Sequence, residues 1–583
     1  MKTTPDTAPK PASFLAAIKK LASLLTGDKS RILLALGSVI VTSLLNLAAP
    51  LAFGYAVDHY IQSNQYQGVL AVSAVLLIVF IIAFAFNYLQ MRLMGGVGQS
   101  VLFRLRNNVF QKLQDLPIAF FHAHKAGDLI SRINNDTDKL NQFFSETLVR
   151  FIGSIFIIGG AAVFIVVLNP RLGLAALLPA AGLFLFTQLT SGWIKRRTSG
   201  SLRSIGALSG EIQESLENFK VIVAFNRRDY FRERFEEANQ ENFLASFRAG
   251  TATGLYSPVY DFAGSFAQII VVSYGLVLVS QGSLSVGLLL SFLIYIDRFY
   301  APLKQIAMLW SSLQLATAAW DRVSEVLADP SELPMMPSVA VSKTNAILAF
   351  EDVSFGYTPE KTILSHLSFS LEAGKTYALV GPTGGGKTTT ASLMARLYDP
   401  TEGCITLEGK DIRSYGDEER TARVGFILQE PFLFSGTLLE NIFYGSKEAT
   451  TSSLEEKTKQ LSAAGFDHLL ARFEGGLEQV IVPGGDVMSL GQRQLIAFMR
   501  AVLRKPDVLI LDEATANIDT VTEQLLEEVL RALPAQTTKV IIAHRLNTIE
   551  NADEIFFVNG GAVTPAGSLE HAISLLMEGK KQS

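Results

Sequence analysis

The sequence predicts two unlike parts in one chain: an all-helical membrane domain of six spans and, behind it, an α/β domain. Three observations carry this. Nearly half of the 583 residues are apolar, 49%, and the mean hydropathy is +0.30, with the long apolar runs all lying before about residue 310. After about residue 345, short strand-like runs such as TYALV and VLILD alternate with polar, helix-compatible segments, the pattern of an α/β fold. Between the two parts lies DPSELPMMPSVAVSK, rich in Pro and Ser, which reads as a linker. The expected division is an N-terminal region 1–30, a membrane domain 31–328, a linker 329–345 and a second domain 346–583.

Six apolar stretches start near Ile32, Val69, Leu148, Leu172, Phe262 and Val286. Each is long enough to cross roughly 30 Å of hydrocarbon. The first two are too long and too uninterrupted for buried helices of a soluble protein. Lys and Arg set the orientation. Lys19, Lys20, Lys29 and Arg31 precede the first span, Arg104, Arg106 and Lys112 follow the second, and Lys195, Arg196 and Arg197 follow the fourth. The segments DHYIQSNQYQG and SQGSLS carry no Lys or Arg, and the turn NPR carries one. Both termini, the two long connections (roughly 92–147 and 194–260) and the second domain are therefore expected on the cytoplasmic side of the cell membrane. The connections read as spans that run on as helices, turn and return, since loops of this length in a compact protein normally have a role.

Ahead of the first span, FLAAIKKLASLL puts Phe14, Ile18, Leu21 and Leu25 on one helical face beside Lys19 and Lys20, as in a helix lying in the membrane interface. An ordinary first turn leading into the span is the alternative. The N-terminal MKTTPDTAPKPAS lacks the apolar core of a signal peptide. A lone cysteine, Cys404, excludes an intramolecular disulfide, and a net charge of −4 gives no basis for a nucleic-acid partner.

The chemistry lies in the second domain. Gly381 to Thr388 in GPTGGGKTTT fits GxxxxGK[ST], with a strand-like run before it and a helix-like run after it. Glycines there let backbone N–H groups close around phosphate oxygens at a helix N-terminus. Lys387 is placed to reach the β- and γ-phosphates of ATP, and Thr388 to ligate Mg²⁺. VLILDEATANID, 508–519, reads as a buried strand ending in Asp512 and Glu513. Asp512 suits the Mg²⁺ shell, and Glu513 suits a general base that polarises the attacking water.

Together with VMSLGQRQLIAFMRA, these motifs make the chain resemble an ATP-binding-cassette (ABC) protein. The matching residues are the phosphate loop, Tyr357 in VSFGY, Gln429 in FILQEPFLF, MSLGQ at 488–492, LILDE at 509–513, ANID at 516–519 and His544 in IIAHRL. They span the C-terminal third. The membrane part resembles the exporter branch, six helices ahead of one cassette, and LPIAFFHAHKAGDLISRINNDTDKL looks like its first intracellular loop. The resemblance implies that Tyr357 stacks on adenine, and that Gly381, Thr383, Gly384, Gly386, Lys387, Thr388 and Thr389 hold the phosphates. Gln429 then senses the γ-phosphate and Mg²⁺, His544 positions Glu513 and the water, and Asp519 joins the nucleotide set. Ser489, Gly491 and Gln492 complete the nucleotide site of a partner cassette, so a dimer is implied.

The signature departs from the family's LSGGQ, with Met488 and Leu490 replacing the first Leu and the first Gly. Pro483 stands where the family often has an acidic residue. Intact Glu513 and His544 beside an altered signature resemble one subunit of a heterodimeric exporter, and a homodimer stays open. The function implied is ATP-driven export of an amphipathic drug, lipid or peptide. The alternative is a membrane-anchored ATPase that gates a partner. Asp297 and Arg298 in the sixth span either line the path or satisfy one another and neighbouring helices.

Overall fold

Apolar runs without internal turn signals become unbroken helices, and the polar connections extend them. In the computed structural model, residues 27–330, 346–446, 452–482, 488–512, 520–531, 533–542 and 552–568 are described, with isolated positions beside them. The interfacial face at Phe14 and Ile18, most of the linker, and Pro483, Glu513, Asp519 and His544 lie outside the described residues. The chain divides into two units, one of residues 1–114 and 126–329, the other of residues 115–125 and 330–583.

The first unit is helical. Its long elements are α1 (Lys29–Ala56), α2 (Tyr66–Asp115), α3 (Leu148–Leu168), α4 (Pro170–Glu217), α5 (Tyr256–Ser280) and α6 (Val286–Ala328). Six helices are long and apolar enough to cross a membrane among the described residues. At 50 and 48 residues, α2 and α4 run for about 70–75 Å at ~1.5 Å per residue, more than twice the hydrocarbon thickness of about 30 Å. The two long connections are thus largely helix. Between α3 and α4 the turn is tight because Asn169 caps α4, its side chain accepting from the Leu172 N–H at 3.1 Å, and Pro170 occupies the first helical position.

The core of this unit joins α1, α3, α4, α5 and α6 through Leu47, Ala161, Ile165, Leu172, Ala267 and Phe292. Helix α6 is the hub. Its Ser291 hydroxyl donates to the Pro50 carbonyl (2.7 Å), its Tyr295 hydroxyl to the Leu47 carbonyl (2.5 Å), and its Tyr300 hydroxyl to the Ala176 carbonyl (2.9 Å). Each bond gives a buried polar group its partner. By contrast, only 6% of the most apolar window of α2 is buried, and its outward Leu, Ile and Phe side chains suit lipid. Near the far end of α6, Asp128 pairs with Arg132 (2.8 Å) and Arg322 (2.5 Å), Arg132 pairs with Glu325 (2.7 Å), and the buried Asp136 pairs with Lys139 (2.9 Å).

The second unit holds the strands β1 (Ala346–Phe355), β2 (Leu364–Glu372), β3 (Thr376–Val380), β4 (Glu402–Leu407), β5 (Lys410–Asp411), β6 (Val424–Ile427), β7 (Gly436–Thr437), β8 (Val480–Ile481), β9 (Val508–Asp512), β10 (Thr538–Ile542), β11 (Glu554–Asn559) and β12 (Ala562–Pro565). Its main sheet has the order β12-β11-β3-β10-β9-β6. It is parallel from β11 to β6, with β12 antiparallel at the edge. Parallel strands covered on both faces read as continuous apolar runs, which is why TYALV and VLILD are buried nearly throughout. A second sheet, β2-β1-β4-β5, is antiparallel. Three helices matter below: α7 (Lys387–Met394), α8 (Leu490–Leu503) and α9 (Thr520–Arg531).

Candidate nucleotide site

Strands β3 and β9 flank β10 in the sheet, so their C-terminal ends open side by side. Ligands of open α/β sheets bind at that edge. The loop Gly381–Gly386 leaves β3 there and feeds α7. Two of its glycines are required by crowding. A Cβ on Gly381 would sit 2.0 Å from the Val558 carbonyl oxygen, and one on Gly385 would sit 2.6 Å from the same atom. Gly384 and Gly386 have φ of +80° and +110°, which side-chain-bearing residues avoid. The loop therefore keeps its backbone bare and close to β11, with N–H groups at the start of a helix, the arrangement that receives phosphate.

The Lys387 ammonium lies over the loop, donating to the carbonyls of Gly381 (2.9 Å) and Pro382 (3.0 Å). Its side chain is buried among them, as a phosphate-facing cation needs. The Thr388 hydroxyl donates to the Asp512 carboxylate at 3.3 Å, although 124 residues separate the two. A hydroxyl and a carboxylate, both oxygen donors beside a phosphate loop, fit Mg²⁺, a hard cation bound through few protein oxygens. Thr390, one turn on, returns its hydroxyl to the Gly386 carbonyl (2.9 Å) and fixes the start of α7.

Tyr357 is 50% exposed, and its hydroxyl shares a hydrogen bond with the Thr389 hydroxyl at 3.1 Å. The ring presents a free surface next to the phosphate loop. Sequence reasoning missed its neighbour: Tyr398 meets Tyr357 edge-on at 5.2 Å between centroids. Burial pushes the Tyr398 hydroxyl above its ordinary pKa, with a smaller contribution from Tyr357. His122, from the segment 115–125 that groups with this unit, lies 6.4 Å from the Tyr398 ring. No local signal marks Tyr398, because its contact with Tyr357 joins rings 41 residues apart in the chain. Gln429 follows β6, and its side chain is exposed.

The signature residues sit elsewhere in the unit, at the start of α8. Ser489 is the N-cap. Its hydroxyl accepts from the Gln492 N–H (3.2 Å), and the Gln492 side chain accepts from the Ser489 N–H (3.0 Å). This reciprocal cap was readable as S-x-x-Q before an apolar run. Gln492 also donates to the Arg472 carbonyl at 3.3 Å. Gly491 is buried, and a Cβ there would meet Thr522 of α9 at 3.0 Å. Thus Tyr357 meets Thr389, Thr388 meets Asp512 and Lys387 folds over the loop between them, whereas Ser489 and Gln492 bond to one another and Gln492 to Arg472.

Comparison with known proteins gives the family. The model of the ABC transporter transmembrane region matches residues 32–303, and the ABC transporter model matches residues 364–516. The chain is 34% identical over 561 residues to an uncharacterized ABC transporter ATP-binding protein, YfiC, of Bacillus subtilis, covering 95% of this chain and 92% of the relative. It is 34% identical over 506 residues to the fatty acid ABC transporter ATP-binding/permease protein of Mycobacterium bovis, covering 87% and 79%. It is 30% identical over 494 residues to a probable multidrug resistance ABC transporter ATP-binding/permease protein, YheH, of Bacillus subtilis, covering 84% and 73%. With both models matched in one chain and relatives aligned over most of its length, the chain belongs to the ABC transporter family, as a multi-pass membrane half-transporter whose ATPase domain powers export.

Proposed function

We propose that the chain is one half of a heterodimeric exporter that moves an amphipathic substrate across the cytoplasmic membrane, with both termini and the cassette on the cytoplasmic side. The observation that carries the reading is the half-built ATP site: Thr388 and Asp512 meet at 3.3 Å beneath a glycine cradle, while the signature at Ser489 is capped on itself. A second cassette supplies what the cradle faces.

Each residue then has a task. The loop N–H groups and Lys387 hold the phosphates, Tyr357 takes the adenine ring, and Thr388, Gln429 and Asp512 hold Mg²⁺. When bound, Mg²⁺ draws charge from the phosphate oxygens. Glu513 takes a proton from the attacking water, a role worth roughly 10²–10⁴-fold in rate, and His544 orients them. Ser489, Gly491 and Gln492 serve the partner's nucleotide, and Asp519 joins the nucleotide set. Closure of the two cassettes switches the membrane cavity from inward to outward access.

The heterodimer follows from Leu490, which the partner's nucleotide must tolerate; a site that mainly binds tolerates it more readily than one that hydrolyses. The test is reconstitution of the purified protein, with any subunit that co-purifies, into sealed vesicles. ATP-dependent accumulation of an amphipathic solute is expected. ATPase activity without movement of any solute refutes export, and an active dimer containing only this chain refutes the heterodimer.

A further inference from the structure

Two charged side chains in α6 lack the partners that Asp58, Asp261 and Lys304 have. Asp261 of α5 takes Lys304 of α6 at 3.0 Å. At the opposite end of α6, Asp58 accepts from the Gly287 N–H at 2.7 Å and from the Ser285 hydroxyl. Asp297 and Arg298 make no hydrogen bond and no ion pair with any described residue. They are not paired with each other either, because adjacent residues of a helix point about 100° apart. Asp297 stands eleven residues into α6, counted from Val286. At ~1.5 Å per residue that is about 17 Å, close to the middle of a hydrocarbon layer of about 30 Å. A charge there costs about 2.5–3.5 kcal/mol on insertion scales, so such residues face a cavity or a bundle interior.

The rotation of α6 is held by its own hydrogen bonds. Ser291, Tyr295 and Tyr300 anchor it to the backbones of α1 and α4. That leaves Leu290, Ile294, Asp297, Arg298 and Ala301 on a partly or fully exposed side, between the directions of Ser291 and Tyr300, at the spacings that share one helical face. Toward the Val286 end this face is apolar. At mid-membrane it carries one anion and, a step round the helix, one cation at nearly the same depth. The pattern matches a molecule with a tail and a doubly charged head.

We infer that Asp297 and Arg298 form the head-group site for a zwitterionic amphiphile, the carboxylate taking its cation and the guanidinium its anion, with the tail along Leu290 and Ile294. The inference rests on the exporter reading and names its substrate class. Arg suits the anionic part because its planar fork binds phosphate or carboxylate in two contacts.

The test measures equilibrium binding without ATP. The full protein in lipid nanodiscs, with any co-purifying subunit, is titrated against radiolabelled dodecylphosphocholine, dodecyltrimethylammonium and dodecanoate, with empty nanodiscs as the blank. The zwitterion is expected to bind tightest. Asp297→Asn should raise the half-saturating concentration about tenfold for the zwitterion and the cation, leaving the anion unchanged. Arg298→Gln should do so for the zwitterion and the anion, leaving the cation unchanged. Asp297→Glu and Arg298→Lys keep the charges and should keep the order of preference. Equal losses for all three probes, as reciprocal ion pairs with a partner subunit would give, overturn the inference, as do equal affinities in the unsubstituted protein. Transport separates the two readings. If the charge pattern holds but ATP moves none of the probes in vesicles, the site stands and export falls; if ATP moves solute and the pattern is absent, the site falls alone.

Discussion

Replacing Gly381 by Ala tests whether the loop is held by crowding rather than by flexibility. The new Cβ would lie 2.0 Å from the Val558 carbonyl oxygen, where carbon–oxygen contacts normally begin at roughly 3.3 Å. Something must therefore move by about 1.3 Å. Val558 cannot yield cheaply. It is fully buried in β11, which is hydrogen-bonded to β3 on one side and β12 on the other, with Phe557 in register with Val380 and Val558 with Val563. The loop moves instead, at an overpacking cost of about 1–3 kcal/mol, and carries its phosphate-facing N–H groups with it. Gly384→Ala is the comparison. Its φ is +80°, but nothing lies within 4 Å of the added Cβ, so only the left-handed backbone cost of about 1–2 kcal/mol applies. The assay is titration of the detergent-purified protein with a fluorescent ATP analogue, alongside thermal unfolding. Gly381→Ala should weaken binding by at least tenfold, or about 1.4 kcal/mol, and by more than Gly384→Ala does. Unchanged affinity in Gly381→Ala, or a larger loss in Gly384→Ala, refutes the crowding argument.

Glu513→Gln should leave ATP binding intact and slow hydrolysis by about 10²–10⁴-fold; turnover within a few-fold of the original removes Glu513 as the general base. Lys387→Ala should weaken ATP binding without unfolding the membrane unit, and an unchanged affinity would take the phosphate site away from this loop. Burial, aided by Glu351, pushes the Cys404 thiol up to about 11 from an ordinary 9.0, so at pH 8 its thiolate is roughly a hundredth as abundant as normal. Alkylation of Cys404 should be correspondingly slow and climb about tenfold per pH unit to beyond pH 10; a plateau near pH 9 contradicts this. Leu490→Gly should change ATPase activity only modestly if the partner is a different chain, and a clear change with this chain as its own partner supports the homodimer.

The spans and the strand, glycine loop and helix around Lys387 were legible because both are written locally. Hydropathy over about twenty residues announces a membrane helix, and GPTGGGKTTT carries strand, loop and helix within a few residues of one another. The meeting of Thr388 with Asp512 followed from two motifs ending parallel strands. What was not legible depends on distant partners. Asp128 and Arg132 show an i,i+4 spacing, yet nothing marks Arg322, 194 residues from Asp128, as their partner. The hydroxyls of Ser291, Tyr295 and Tyr300 look like ordinary polar atoms in a greasy span until the carbonyls of Pro50, Leu47 and Ala176 are seen opposite them. The same holds for Asp297 and Arg298. The sequence left open whether they satisfy one another, and the helical backbone, which turns adjacent side chains about 100° apart, shows that they do not.

The altered signature has a physical reading that separates what the chain needs for itself from what it offers to another. Of the two glycines in the usual pattern, the one retained is Gly491, and its reason is internal: a Cβ would press on Thr522 at 3.0 Å and push α8 away from α9. The one replaced is Leu490, the first residue of α8, where an ordinary helical backbone accommodates any side chain. Ser489 and Gln492 already occupy one another in the capping box, so the helix end is stable without a ligand. The first-turn N–H groups of Leu490 and Gly491 remain without intrahelical acceptors, as at any helix start, and can still face an anion. The half-buried Leu490 side chain therefore changes how near that anion comes, not whether the donors exist. Within the chain, Leu490→Gly should cost stability, up to about 1 kcal/mol for a glycine in a helix. Any gain must be felt by the nucleotide of the other subunit, and the two effects have opposite signs and separate assays.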